Sequence, residues 1–81
     1  MVNVIWTGKF EREVKKIKDG LIKERVMKLI EKIVEHPEIG KPLRYDLKGE
    51  RSLYLKPFRL VYAFKDNTIF LLRFEHRGHV Y

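Results

Sequence analysis

The sequence contains no cysteine, which excludes disulfide bonds, thiolate metal ligands and a cysteine nucleophile. The apolar run near the start, residues 4–6, is far too short for a signal sequence or a transmembrane helix. A glycine-rich phosphate loop, a serine nucleophile elbow and a DxD motif are also missing. We therefore expect a cytoplasmic protein that is stabilised by packing alone. Any catalysis must depend on arginine, lysine, histidine and tyrosine.

Positive charge is the feature that the sequence has in excess. Lysine and arginine number 18 against 11 aspartates and glutamates, so the formal net charge is +7 over 81 residues. Such a field attracts polyanions, which favours nucleic acid or an acidic protein as partner. No segment combines a strongly basic face with exposed tryptophan or phenylalanine, so a membrane partner is not expected. A chain of this length builds one core, which predicts a single domain over residues 1–81.

Two segments have apolar residues at helical spacing, Lys9–Lys18 and Leu21–Glu35. Thr7 offers a hydroxyl that can cap the first helix, and the residue before Pro37 is pushed out of helical geometry, which ends the second. A short strand, Val2–Trp6, precedes both. The two helices, separated only by a short turn, are expected to form a hairpin with one shared apolar face.

The second half of the chain is typical of strands. Residues 36–50 have no period and contain prolines and glycines, which indicates a connecting loop. Three strand-like runs follow, with a hairpin turn at Asp66-Asn67: Ser52–Lys56, Phe58–Phe64 and Thr68–Glu75. The order β-α-α-β-β-β predicts an α+β fold, in which the helical hairpin packs on one face of a four-stranded, mostly antiparallel sheet.

Arg59 is the unusual residue of the middle run, since its neighbours are apolar. Strand alternation places it with Val61 and Ala63, opposite the larger apolar side chains, so it should point to the open face of the sheet. Arg77 should lie near the same end, and two guanidiniums in one concavity suit a phosphate. A hairpin turn one residue longer would exchange the faces, so this alternative register stays open.

Other titratable residues give weaker signals. His76 and His79 have the spacing of a metal pair, but no third ligand is evident, so we predict neither a metal nor another cofactor. Either imidazole is suited to proton transfer near neutral pH. Asp46, Glu50 and Glu75 form no close pair in the sequence, so acid–base chemistry by paired carboxylates is not expected.

The element order, FRLVYAF in the third predicted strand and HRGHVY at the C-terminus together resemble the RelE toxins of the RelE/ParE superfamily. The resemblance covers essentially the whole chain. It implies the RelE fold and a toxin of a type II toxin–antitoxin pair. Such a toxin is a metal-independent endoribonuclease that cleaves messenger RNA in the ribosomal A site. The implied partners are the ribosome, messenger RNA and an acidic RelB-like antitoxin.

The same resemblance assigns roles to individual residues. Arg59 matches the arginine that stabilises the scissile phosphate, and Arg77 falls at or near a C-terminal arginine implicated in catalysis. Tyr81 matches a tyrosine that stacks on the substrate base and has been assigned as general base. Ser52 and Tyr54 stand where many relatives have lysine or arginine. The remaining residues predicted to contact RNA are Arg44, Lys48, Arg51, Lys56 and His76.

Two other functions remain open at this point. One is a ParE-like toxin that acts on DNA gyrase through protein contacts, and it does not require Arg59, Arg77 and Tyr81 to converge on RNA. The other is a non-catalytic RNA- or protein-binding relative, which the missing strand lysines would suit.

Overall fold

The computed structural model describes residues 2–43 and 49–76. Two helices pack on one face of a five-stranded sheet. In chain order the elements are β1 (Asn3–Trp6), α1 (Gly8–Lys15), α2 (Gly20–Glu35), β2 (Lys41–Pro42), β3 (Glu50–Leu55), β4 (Phe58–Lys65) and β5 (Thr68–His76).

Both helices begin where a capping side chain accepts backbone N–H groups. The Thr7 hydroxyl accepts from Phe10, as predicted, and the Asp19 carboxylate accepts from Leu21 and Ile22. Helix α1 ends at Lys15 rather than at Lys18, since the N–H of Ile17 bonds to the carbonyl of Val14, three residues back, and the α-helical pattern stops there. Neither helix in the described ranges is long and apolar enough to cross a membrane.

The sheet has the strand order β1-β5-β4-β3-β2. Strand β1 runs parallel to β5, and every other neighbouring pair is antiparallel, which confirms the mostly antiparallel arrangement. The prediction of four strands was wrong by one, because Lys41 and Pro42 pair with β3 inside the segment interpreted as a loop. Two residues are too short to produce an alternating pattern, so sequence periodicity could not reveal this strand.

The hairpin between β4 and β5 turns at Asp66 and Asn67, as predicted. Both residues have positive φ, 52° and 58°, which matches the twist of a two-residue hairpin loop. The register follows directly, with Lys65 opposite Thr68 and Phe64 opposite Ile69.

The core lies between the helices and one face of the sheet. Both helices and the central strands supply its buried side chains, which are Phe10, Val14, Val26, Ile30, Ile33, Leu60, Tyr62, Ile69, Leu71 and Phe74. Phe58 and Phe64 pack against this cluster, so the larger apolar set of β4 faces the helices as predicted. Within residues 2–43 and 49–76, no helix covers the opposite face of the sheet.

A β-bulge in β5 changes which residues face the core. Tyr62 is opposite Leu71, but Val61 is opposite Arg73, so Leu72 is an extra residue on β5. Before the bulge Leu71 is buried in the core, and after it Phe74 is buried instead. The alternation is thereby shifted by one residue.

Groups from the first helix and its cap hold the bulged segment. The Thr7 hydroxyl donates to the carbonyl of Leu71 at 2.7 Å and lies 3.4 Å from that of Leu72. The carboxylate of Glu13 accepts the backbone N–H of Phe74 at 2.8 Å, beyond the point where β1 ends. These bonds provide partners for backbone groups of β5 at the point where the neighbouring strand β1 ends.

The segment after α2 is fixed by Tyr62. Its hydroxyl accepts the N–H of Gly40 at 2.9 Å and donates to the carbonyl of Pro37 at 2.8 Å. Burial raises the pKa of the phenol, which the bond from Gly40 only partly offsets, so the hydroxyl stays protonated and able to donate. A Cβ on residue 40 would lie 2.9 Å from both Cε1 and the hydroxyl of Tyr62, so this close approach requires glycine.

Substitution of Gly40 by alanine should therefore lower the free energy of unfolding by about 1–3 kcal/mol, because the added methyl group overpacks against the Tyr62 ring. Gly20→Ala is the matched control, since nothing lies within 4 Å of the added atom at the start of α2. That change should be neutral or stabilise by up to about 1 kcal/mol. Urea denaturation measures both. Equal stability of the two variants would contradict the packing argument.

Candidate active site

Arg59 lies on the face of the sheet opposite the helices, and its strand, β4, is the central strand of the five. In the register it is opposite Tyr54 of β3 and Glu75 of β5. Residues directly opposite in antiparallel strands share a face, so the three side chains are neighbours. The predicted orientation of Arg59 is confirmed, and the alternative register is excluded for this part of the hairpin.

Four charged side chains form a chain of ion pairs on this open face. Nη2 of Arg59 lies 2.8 Å from Oε1 of Glu75, and Nε of Arg73 lies 3.1 Å from the other carboxylate oxygen, Oε2. Nη2 of Arg73 also lies 3.1 Å from Oε1 of Glu50. The four side chains are only 21–35% exposed. They form a partly desolvated network in which positive and negative groups alternate.

The Glu75 carboxylate is stabilised in its charged form. Burial by itself raises its pKa, but the hydrogen bond and charge of Arg59, together with those of Arg73, outweigh burial. The net result is a pKa below the ordinary value of 4.5. Glu75 is therefore ionised at neutral pH, which makes it a poor proton donor there.

A groove of about 330 Å³ adjoins Arg59. Strand β2 contributes a cation to its lining, β3 an aromatic ring and β4 the Arg59 guanidinium. The lining residues are Ile39, Lys41, Ser52, Leu53, Tyr54 and Arg59. Tyr54 is 57% exposed, an unusual value for a large ring in a paired strand. A groove with cations and an accessible ring is suited to an anionic ligand that also carries a flat base.

The other residues predicted to contact RNA are distributed differently. Arg51 is opposite Tyr62 and lies on the helix side, where its Nη1 donates to the carbonyls of Glu38 at 3.0 Å and Gly40 at 2.8 Å. Its guanidinium therefore binds the backbone of the segment before β2, next to the groove, and does not lie on the open face.

Lys56 is exposed at the turn between β3 and β4. His76 ends β5, and its ring meets Phe58 edge-on with centroids 5.2 Å apart. The predicted residues outside the described ranges are Arg44, Lys48, Arg77 and Tyr81. The expected meeting of Arg59 with Arg77 therefore concerns a residue that the structure does not describe.

Arg73 was not among the residues singled out from the sequence. Glu50 and Glu75, which form no close carboxylate pair in the sequence, both bind Arg73. The available signal was the spacing of Arg73 and Glu75, two apart in a strand and therefore on one face. Which face they occupy depends on the bulge at Leu72, which the sequence pattern did not reveal.

Comparison with known proteins places this chain in a family. Residues 4–81 match the family model described as the ParE toxin of the type II toxin–antitoxin system parDE. A chain of the RelBE2 toxin–antitoxin complex from Mycobacterium tuberculosis is 30% identical, with 94% of this chain and 98% of that chain covered and a TM-score of 0.80. The chain belongs to the RelE/ParE superfamily of type II toxins.

More distant members of the RelE/ParE superfamily share the fold. The isolated Escherichia coli RelE toxin aligns with a TM-score of 0.83 at 17% identity, covering 99% of this chain and 88% of that chain. YoeB from Staphylococcus aureus aligns with a TM-score of 0.77 at 24% identity, covering 98% of both chains. A search of curated proteins found no relative of significant similarity.

The ion network predicts a pH dependence of stability. Because the folded-state pKa of Glu75 is lowered, its stabilisation is fully present above the unfolded-state pKa near 4.5 and is lost as the pH falls through the lower folded-state value. Glu75→Gln should therefore be less stable than wild type at pH 7, by up to about 1 kcal/mol given its partial exposure. The difference should disappear in acid.

Thermal unfolding between pH 2 and pH 7 measures this difference. Glu31→Gln is the control, since Glu31 is exposed on α2 and makes no ion pair among the described residues. A Glu75→Gln deficit that is constant across the whole pH range would show that the charge of Glu75 is not what stabilises the fold.

Proposed function

We propose that this protein is a ribosome-dependent messenger RNA endonuclease, the toxin of a type II pair, which cleaves messenger RNA in the A site and so inhibits translation. The observation that supports this proposal best is the Arg59 guanidinium at the edge of a cationic groove with an accessible aromatic ring. A ribosome-bound substrate implies action in the cytoplasm.

The reaction proposed is an internal transesterification. The 2′-hydroxyl attacks the adjacent phosphorus, a 2′-O–P bond forms and the 5′-O–P bond breaks, which leaves a 2′,3′-cyclic phosphate and a 5′-hydroxyl. One group removes the proton from the 2′-hydroxyl, and another donates a proton to the leaving 5′-oxygen. Arg59 would stabilise the extra negative charge on the phosphoryl oxygens, where a preorganised cation has most effect. By family resemblance we assign Tyr81 as the general base and include Arg77 among the catalytic residues.

Tyr54 and Ser52 modify this site relative to the pattern of many relatives, in which the two positions are basic. Both residues line the groove beside Arg59. An exposed tyrosine ring offers a stacking surface for a base, which contributes about 1–3 kcal/mol per base in single-strand binding proteins. Lys41 on β2 supplies a cation to the same groove. We propose that Tyr54 and Lys41 compensate in part for the missing strand lysines, with Lys56 and His76 as further RNA contacts.

An acidic antitoxin is the second partner that we propose. Solved relatives include toxin–antitoxin complexes, namely RelBE2 from M. tuberculosis, RelBE from E. coli and YoeB–YefM from S. aureus. The net charge of +7 on this chain favours a partner of opposite charge.

Action on DNA gyrase is the alternative, since the matching family model is described as the ParE toxin. The two functions differ in what they require of Arg59. Gyrase inhibition through protein contact needs no phosphate-binding guanidinium beside a groove, whereas RNA cleavage does. A gyrase supercoiling assay run beside the cleavage assay separates the two.

Arg59→Ala should lower the rate of messenger RNA cleavage on ribosomes by at least about tenfold, because a charged contact to the transition state is lost. Programmed ribosomes stalled on a defined messenger, with RNA ends mapped by primer extension, measure the rate. Wild-type protein is expected to cut within the A-site codon and to leave naked messenger intact.

Arg12→Ala is the matched control, as it removes one exposed arginine from α1, on the other side of the sheet. It should cleave like wild type. Equal rates for both variants, with both folded, would remove Arg59 from the mechanism. Inhibition of gyrase without any RNA cleavage would replace the proposed activity with the alternative.

A further inference from the structure

The carboxylate of Glu75 occupies the position between two guanidiniums that an anionic ligand would take. One of its oxygens accepts from Arg59 at 2.8 Å, and the other accepts from Arg73 at 3.1 Å. A phosphodiester presents two non-bridging oxygens in a similar arrangement, and guanidinium groups recognise both kinds of anion through paired N–H donors. The protein thus holds an internal acidic group where a phosphate would fit.

Charge balance decides whether a phosphate can bind beside Glu75 or must replace it. The network contains two arginines and two glutamates, so it is locally neutral despite the chain's excess of positive charge. Adding a phosphate to the intact network would place two anions against the same guanidiniums, in a partly desolvated position. Replacement of Glu75 by the phosphate keeps the balance.

Replacement is also sterically reasonable. Glu75 is the most exposed of the four side chains, at 35%, and β5 ends one residue later. Arg73 would stay in place, because Glu50 holds its Nη2 at 3.1 Å while Nε is released. Only the Glu75 side chain needs to rotate outward.

We propose that Arg59 and Arg73 together form a binding site for an RNA backbone phosphate, and that Glu75 is an intramolecular competitor for this site. The inference rests on the proposed function for the nature of its ligand. Arg73 becomes a phosphate-binding residue, and Glu75 keeps the pair ordered but occupied until RNA displaces it. RNA must displace Glu75 in order to bind. This step favours correctly positioned RNA over weakly bound stray RNA.

Removal of the competitor gives a direct test. A fluorescent single-stranded RNA with 2′-O-methyl groups at every position binds but has no attacking hydroxyl, so anisotropy reports binding independently of cleavage. Glu75→Gln should bind this RNA about fivefold or more tightly than Glu31→Gln, as expected when the competitor holds the pair most of the time. Both variants raise the net charge by one, so the comparison removes the general electrostatic gain. Equal affinities would overturn the proposal.

A second variant tests the participation of Arg73. In the Glu75→Gln background, Arg73→Gln should abolish the gain in affinity, whereas Arg12→Gln should keep most of it. Retention of the gain without Arg73 would overturn the two-arginine site. Inorganic phosphate at matched ionic strength should compete only weakly with the RNA, and competition as strong as that of the oligonucleotide would overturn RNA as the ligand.

Nuclear magnetic resonance keeps the proposal testable if Glu75→Gln does not fold. Titration of wild-type protein with the same RNA should shift the Nε–Hε signals of both Arg59 and Arg73 and the carboxyl carbon signal of Glu75. Movement of Arg59 alone would overturn the inference. Because this RNA is not cleaved, failure of the ribosome assay with these shifts intact would reject the nuclease function and leave the phosphate site standing.

Discussion

The extra residue at Leu72 is the constraint on which the arrangement of the open face depends. An uninterrupted β5 would continue the alternation of Ile69 and Leu71, which would direct Arg73 and Glu75 toward the helices. Two charges in the core would then have to be desolvated, at a cost of several kcal/mol per ion. With the bulge, Phe74 enters the core and both charged residues join Arg59. The single extra residue thus places Phe74 in the core and places Arg73 and Glu75 in the site.

The bulge is in turn stabilised by α1, which connects the helix layer to the open face. Thr7 serves two purposes, since its oxygen caps the helix and its hydroxyl proton is donated to the carbonyl of Leu71. Glu13 accepts the N–H of Phe74, which is the first core-facing residue of β5 after the bulge. Contacts with α1 and its cap therefore set the position of Glu75 relative to Arg59, although both residues lie on the opposite face of the sheet.

The sequence was informative wherever a local pattern decides the structure. Alternation along β4 is a property of consecutive residues, so the outward direction of Arg59 could be predicted, and so could the turn at Asp66-Asn67. The ion network depends instead on strand register, which brings together residues 16 and 23 positions apart in the sequence, and on a bulge that the sequence pattern does not reveal. Arg73 was missed for this reason, and its ion pairs with Glu50 and Glu75 could not be predicted. Strand β2 was missed because two residues have no period.

The two sides of the groove differ in how they are held, and this difference bears on its chemistry. Its rim next to β2 is fixed from the core, because buried Tyr62 binds the segment before Lys41 at Pro37 and Gly40. Arg51 adds two further bonds to the same segment. On the other side, Arg59 is positioned by a carboxylate that is partly open to solvent. A preorganised rim costs little to maintain during binding, whereas an ion pair can be exchanged for another anion. If a phosphate displaces Glu75 as proposed, the site combines a rigid rim with a replaceable counter-ion, and its charge changes without rearrangement of the sheet.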